Sequence, residues 1–395
     1  MLTYLVLLVL PWMFALGITP VVMRWAAKRG WLDHPKGRKQ HRAPVPLLGG
    51  VAVFVSMWLG LALSIPVSEP VRAGLWGEGS LSALALGVSL IVALGLWDDR
   101  VELRPLGKLA GQVGVAVLSW FLGFRMGLIE LPFGWLLGAD PLSSLLLTIA
   151  WIVVVTNAFN LMDGMDGLAS GISVISLLTV FLLANQNGAT VPVIGALALS
   201  GALAGFLRFN VPPARIFLGD AGSMGVGYAT AVLALASYNK GPTAIVLIVP
   251  LMVLGVPLLD TVLAIVRRVR NYVLVSGRSE LRAGGVLRAI ASADRGHIHH
   301  LLLRMGLSVS QVLAVLYASA AGLALLGVAT RAAGPEVRWG LWLGLIGASY
   351  VVLSMLEQRV ARREARARDR DAQLAALSAS TGADATEQGR QHVAG

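Results

Sequence analysis

Apolar runs about as long as a bilayer is thick recur along nearly the whole chain, and no other feature limits its fold so strongly. They lie at about residues 3–23, 47–65, 80–97, 106–124, 141–160, 169–186, 190–208, 221–238, 243–266, 308–328 and 338–356. A lipid-exposed backbone must satisfy its own hydrogen bonds, so runs of this length are helices. The pattern predicts an all-α fold: a polytopic integral membrane bundle of about 11 transmembrane helices, with ten as the lower count. Composition agrees, since 56% of the 395 residues are hydrophobic and only 13% are charged, about half the charged share of a soluble domain. The first run is expected to be a membrane helix, not a cleaved leader, because Arg24, Lys28 and Arg29 follow it instead of preceding it.

Charge orients the bundle. The segments 24–46, 98–108, 208–220, 267–307 and 357–395 hold 27 of the 32 Lys and Arg residues. Basic loops stay in the cytoplasm, which puts the N-terminus outside and the C-terminus in the cytoplasm. The net charge of +11 therefore sits in membrane-protein loops. No basic domain with interleaved aromatics accompanies it, so no nucleic-acid partner is expected. The absence of cysteine excludes disulfides, thiolate nucleophiles and thiolate zinc sites. Residues 1–356 read as one transmembrane domain with cytoplasmic loops at 24–46, 98–108, 157–169, 208–223 and 267–307. Residues 357–395 read as a basic tail that starts as an Arg/Ala-rich helix and fades into disorder.

This orientation gathers the acidic motifs on one face. Asp98 and Asp99 end the third run, Asn157 to Asp166 end the fifth, Asp220 precedes the eighth, and Asp260 lies near the end of the ninth. An ionisable group costs roughly 2.5–3.5 kcal/mol at the centre of a membrane helix, so such groups are functional candidates by default. Mg²⁺ takes oxygen ligands, commonly one or two carboxylates plus substrate phosphates, and Asp98, Asp99, Asn160 and Asp220 offer that atom type from three helix ends. Adjacent Asp98 and Asp99 project about 100° apart, so one can meet a metal while the other faces elsewhere. Asn157, Asn160 and Asp163 drift round their helix by about 60° per step. Gly164 and Gly167 then break the helix and move Asp166 into a loop, where it suits a ligand base. The competing reading makes these carboxylates helix caps or partners of arginine. Glycines 219, 222, 225 and 227 fit either phosphate at a helix N-terminus or plain packing. His297, His299 and His300 suit phosphate or sugar hydroxyls, with zinc or a structural role as alternatives. Lys108, one turn before Gln112, either offers a cation to phosphate or snorkels.

Five stretches occur together and in order: Asp33-x-Pro…Arg38-Lys39-x-His41-x-x-Pro44-x-Pro46-x-x-Gly49-Gly50, Asp98-Asp99, Asn157-x-x-Asn160-x-x-Asp163-Gly-x-Asp166-Gly-Leu-Ala169, Phe217-x-Gly-Asp220-x-Gly-Ser223 and His297-Ile-His-His300. In this the chain closely resembles the polyprenyl-phosphate N-acetylhexosamine-1-phosphate transferases, glycosyltransferase family 4, from about residue 20 to 307. The resemblance implies an all-helical membrane enzyme of the bacterial inner membrane that requires Mg²⁺, with Mn²⁺ a substitute. Its implied partners are UDP-GlcNAc, undecaprenyl or another polyprenyl phosphate and the bilayer, with a homodimer left open. His-Ile-His-His points to the branch that loads N-acetylglucosamine-1-phosphate at the first membrane step of cell-envelope polysaccharides. The phospho-N-acetylmuramoyl-pentapeptide branch carries His-His-His-Phe-Glu instead, and here Leu301-Leu302 follow.

By the same resemblance Asp220 and Asn160 coordinate the metal, and Asp98, Asp99, Asp163, Asp220 and His299 form the catalytic set. Substrate contacts fall to Lys39, His41, Lys108, Asn157, Asp166, Asn210, Phe217, Gly219, Arg295, His297 and His300, with Phe217 and Asp166 on the uracil. A lipid phosphate has a second pKa near about 6 and is already a nucleophile at neutral pH. Catalysis then rests on positioning and charge neutralisation, with Asp98 or Asp99 available for a residual proton and a covalent aspartyl intermediate as the less attractive route. A transporter of anionic lipid or nucleotide sugar is the rival from another class. It calls for midplane charges and access from both faces, whereas the external loops here are bland.

Overall fold

The computed structural model describes residues 2–33, 44–130, 136–138, 140–237, 298–330 and 333–391, with scattered positions between 255 and 273. Helices dominate them: α1 (Leu2–Arg29), α2 (Gly49–Ser64), α3 (Glu69–Ala73), α4 (Leu81–Val101), α5 (Pro105–Phe121), α6 (Pro141–Met162), α7 (Leu168–Gln186), α8 (Thr190–Asn210), α9 (Gly219–Ala236), α10 (Ile298–Arg304), α11 (Val309–Ala329) and α12 (Pro335–Gln391). Strand among the described residues is confined to two antiparallel two-residue pairs. These are β1 (Leu32–Asp33) with β2 (Val45–Pro46), and β3 (Ile129–Glu130) with β4 (Leu136–Leu137).

Local sequence sets where these helices begin. Ser80 accepts a hydrogen bond from the Ala83 N–H at 3.3 Å before α4, and Asp140 accepts one from the Ser143 N–H at 2.9 Å before α6. Ser308 and Gln311 form a reciprocal capping box at α11. Such caps are each worth about 1 kcal/mol. Pro105 and Pro141 stand in the first turns of α5 and α6, where no intrahelical donor is lost.

Every expected run except 243–266, most of which lies outside the described residues, coincides with a helix. Among the described residues seven helices are long and apolar enough to cross a membrane: α1, α4, α6, α7, α8, α11 and the Glu336–Val360 part of α12. The others, α2, α5 and α9, are 16, 17 and 18 residues long. For α9 the lower hydropathy follows from its place at the centre of the bundle. It packs against α4, α6, α2, α7 and α8, and every residue from Ala221 to Leu235 is buried. A helix enclosed by protein is selected for close approach, so Gly, Ala, Ser and Thr replace large apolar side chains.

The helix that opens the basic tail runs from Pro335 to Gln391. No proline interrupts residues 336–391, and its Ala, Arg, Leu and Gln are strong helix formers. Its first half packs on α10, with Val360 and Leu301 buried together. The Arg363 Nη1 donates to the Met305 carbonyl just past the end of α10 at 3.0 Å.

Candidate active site

Four helix ends meet on one side of the bundle. The last turn of α4 carries Asp98 and Asp99, the first turns of α5 carry Lys108, the last turn of α6 carries Asn160, and the first turn of α9 carries Asp220. Lys108 Nζ sits among them, 2.7 Å from Asp98 Oδ2, 2.8 Å from Asp220 Oδ2 and 3.1 Å from Asn160 Oδ1. Lys108 therefore does not snorkel; its ammonium is held inside an oxygen cage. The Asn160 Nδ2 donates to Asp220 Oδ1 at 2.8 Å and to Ser223 Oγ at 2.9 Å, which aims its carbonyl oxygen at the ammonium.

Asp98 and Asp99 diverge as the helical step requires. Asp98 Oδ1 accepts from the Leu103 N–H at 2.8 Å and so fixes the α4–α5 turn, while its other oxygen meets Lys108. Asp99 turns to α9, where its two oxygens accept from the Asp220 and Ala221 N–H groups at 2.8 and 3.1 Å. The helix-capping reading thus holds for Asp99, on a different helix from its own. It also means that a carboxylate, not a phosphate, takes the first N–H groups of α9. Gly219 makes this contact reachable: its φ is +73°, and a Cβ there would lie 3.0 Å from Asp99 Oδ2 and against the Leu47 carbonyl.

The remaining motif residues lie on the neighbouring elements. Helix α6 stops at Met162 and α7 starts at Leu168, so residues 163–167 form the expected break. Asp166 Oδ2 accepts from the Ala214 N–H at 2.8 Å, tying that turn to the loop before α9. Asp163 caps α6, its N–H donating to the Asn160 carbonyl. Burial, and then the charges of Asp220, Asp99 and Asp166, push its carboxyl well above the usual carboxylate range. Asn157 pairs with Gln112 through both ends of the two carboxamides, at 2.6 and 3.4 Å. Phe217 is bound through its backbone, N–H to the Pro46 carbonyl at 2.8 Å and carbonyl to the Gly49 N–H at 2.9 Å. That pairing brings the Pro44–Gly50 motif against the Phe217–Asp220 motif.

Asn210 is spent on the scaffold. Its Oδ1 accepts from the Gly167 N–H at 3.2 Å and the Ser170 hydroxyl at 2.8 Å, and its Nδ2 donates to the Ile216 carbonyl at 2.9 Å. His299 is buried, with 2% of its surface exposed, and lies against Gly164 in the α6–α7 break. The His300 ring is 4.2 Å from it, centroid to centroid. Lys39, His41, Asp260, Arg295 and His297 lie outside the described residues. Sequence reasoning missed Tyr317, whose phenol donates to the Gly167 carbonyl at 2.6 Å; a lone tyrosine in an apolar helix carries no motif.

The cage lies within the region that matches a known family. Residues 81–238, α4 to α9, match the profile of Glycosyl transferase family 4. The chain is 36% identical over 307 residues to the "Probable undecaprenyl-phosphate N-acetylglucosaminyl 1-phosphate transferase" of Bacillus subtilis (strain 168), covering 76% of this chain and 77% of the relative. It is 34% identical over 327 residues to the "Decaprenyl-phosphate N-acetylglucosaminephosphotransferase" of Mycobacterium tuberculosis (strain ATCC 25618 / H37Rv), covering 77% and 76%. With the "Undecaprenyl-phosphate alpha-N-acetylglucosaminyl 1-phosphate transferase" of Escherichia coli (strain K12) it shares 29% identity over 311 residues, covering 77% of each. Similarity of this extent, over the helices that build the cage, makes the chain an enzyme of glycosyl transferase family 4, in the branch of the polyprenyl-phosphate N-acetylglucosamine-1-phosphate transferases.

Proposed function

We propose that this protein transfers N-acetylglucosamine-1-phosphate from UDP-N-acetylglucosamine to undecaprenyl or a related polyprenyl phosphate, releasing UMP, at the cytoplasmic face of the bacterial inner membrane. The observation that carries the reading is the oxygen cage of Asp98, Asn160 and Asp220 around the Lys108 ammonium, in a chain whose relatives are named for this transfer. The cytoplasmic placement is supported by the 27 of 32 Lys and Arg residues in the loops on that side.

The oxygens fit Mg²⁺. They already surround one cation; among the described residues no group of three or more His, Asp or Glu side chains is arranged to hold a metal by itself. The remaining ligands would come from substrate phosphate and water, as is usual for this ion. Asp220 and Asn160 would hold it, and when bound it would neutralise the donor pyrophosphate.

The lipid phosphate attacks the β-phosphorus of the UDP-sugar. The new P–O bond forms as the bond from the β-phosphorus to the bridging oxygen breaks, and UMP leaves with that oxygen. No base is needed when the nucleophile is a dianion, so the chain's own task is alignment and charge compensation. Lys108 supplies the fixed positive charge. Asp98, whose Oδ2 meets Lys108 in the cage, would be the one of the pair available for a residual proton. Asp99 holds the α9 N-terminus and with it Asp220. Asp166 and Phe217 serve the uridine, and His299 with its neighbours the sugar phosphate.

UMP release by the purified protein tests the reading. We expect turnover with UDP-N-acetylglucosamine and polyprenyl phosphate, abolished by chelation and restored by Mg²⁺. Equal turnover of a UDP-N-acetylmuramoyl-pentapeptide donor would overturn the branch assignment. Within that assay Asp166→Ala should raise the donor KM about tenfold and leave the KM for polyprenyl phosphate within twofold. A change confined to the lipid KM would move Asp166 to the other half of the site.

A further inference from the structure

The Asp166–Gly167 turn is gripped from two sides, by Asn210 and by Tyr317. Gly167 has a φ of +77°, a region open to glycine, and a glycine that is not held samples many conformations. Its N–H, in the peptide it shares with Asp166, donates to Asn210 Oδ1. Its carbonyl, in the next peptide, accepts from the Tyr317 hydroxyl on α11 at 2.6 Å. With both flanking peptide planes held, rotation at Gly167 is restricted, which steadies the backbone from which the Asp166 carboxylate reaches the Ala214 N–H.

The rest of the contact is built to bring the phenol there. The Tyr317 ring lies where a Cβ on Gly171 would be, so glycine one turn into α7 admits it. Around it, Met162, Met165, Leu168 and Ile172 pack against Leu302, Val312, Leu313, Leu316 and Ala320, with Tyr317 at the margin of this cluster. The cluster thus joins the α6–α7 break to α10 and α11.

We infer that Tyr317 is a positioning residue for donor binding: its hydroxyl locks the Gly167 peptide and thereby holds Asp166 in the orientation that serves the uridine. The inference rests on the proposed function. Losing one hydrogen bond without losing the ring should weaken the donor complex on the scale of a single such bond. Tyr317→Phe is therefore expected to raise the KM for UDP-N-acetylglucosamine about three- to tenfold. Both kcat at saturating donor and the KM for polyprenyl phosphate should stay within twofold. Gly171→Ala keeps the hydroxyl but displaces the ring, and should shift donor KM in the same direction.

Binding of UMP, measured by titration calorimetry on both variants and the parent, separates this inference from the reading beneath it. A parent that binds UMP without forming product overturns the proposed function, and the UMP affinity ratio then decides the role of Tyr317 by itself. A parent that binds no UMP overturns both. Unchanged donor KM and UMP affinity in Tyr317→Phe, or a lower melting temperature alone, assigns the residue to packing and overturns the inference. Should Tyr317→Phe not fold, Gly171→Ala carries the same two readouts.

Discussion

An Asp220→Ala variant is expected to turn over at least about a hundredfold more slowly than the parent while inserting and folding normally. Asp220 is the most open of the cage's three charged groups, with 36% of its side chain exposed against 9% for Asp98 and 16% for Lys108. Truncating it leaves no core cavity, and the α9 N-terminus keeps its cap because Asp99 binds the backbone N–H groups and not the carboxylate. What disappears is the charge that receives both Lys108 and Asn160. Substrate pyrophosphate would then face Asp98 and Asp163 with an incomplete metal site. A hundredfold loss corresponds to about 2.7 kcal/mol of transition-state stabilisation. The measurements are kcat at saturating substrates with millimolar Mg²⁺ and the melting temperature in detergent. Turnover near that of the parent sinks the metal assignment; a large fall in melting temperature makes Asp220 a fold determinant instead.

The sequence revealed the ingredients of this cage more fully than their partners. Charge near a bilayer is expensive, so Asp98, Asp99, Asn160 and Asp220 stood out at helix ends before any contact was known. The divergence of Asp98 from Asp99 followed from the helical step, and the loop position of Asp166 from Gly164 and Gly167. Which carboxylate faced the cage did not follow. That choice depends on α4 crossing α9 so that Asp99 meets the backbone of residues 220 and 221, a tertiary fact without a local signal. The same holds for Lys108, where snorkelling and caging use the same residue in the same turn. Asn210 entered the site only through the family resemblance; its three bonds to Gly167, Ser170 and Ile216, which stitch α7 to the loop before α9, have no local signal. Hydropathy located the helices, and it is weakest at α9, which is enclosed by protein and carries the small residues of a packed interior.

Lys108→Met separates caging from snorkelling most sharply. Methionine keeps an unbranched apolar stem and removes only the charge, so α5 should still pack. In the parent, one ammonium serves Asp98 Oδ2, Asp220 Oδ2 and Asn160 Oδ1. Without it two carboxylates converge with no compensating charge, and breaking such a pair by removing one partner destabilises by as much as about 3–5 kcal/mol when fully buried. Asp220 is partly open, so solvent screening should keep the stability loss below that range. The catalytic loss should be larger, at least about a hundredfold in kcat/KM, because the transferring phosphates lose a positive charge aimed at them. Lys108→Arg should recover only part of it, since a planar guanidinium fork does not fit among three oxygens arranged round a point charge. Mg²⁺ offers an internal check. If the ion shares these oxygens, its addition should raise the melting temperature of Lys108→Met more than that of the parent, as it takes over the missing charge. A methionine variant with the parent's kcat/KM and the parent's response to Mg²⁺ would show that the ammonium takes no part in the chemistry. The cage would then be no more than a brace between α4, α5, α6 and α9.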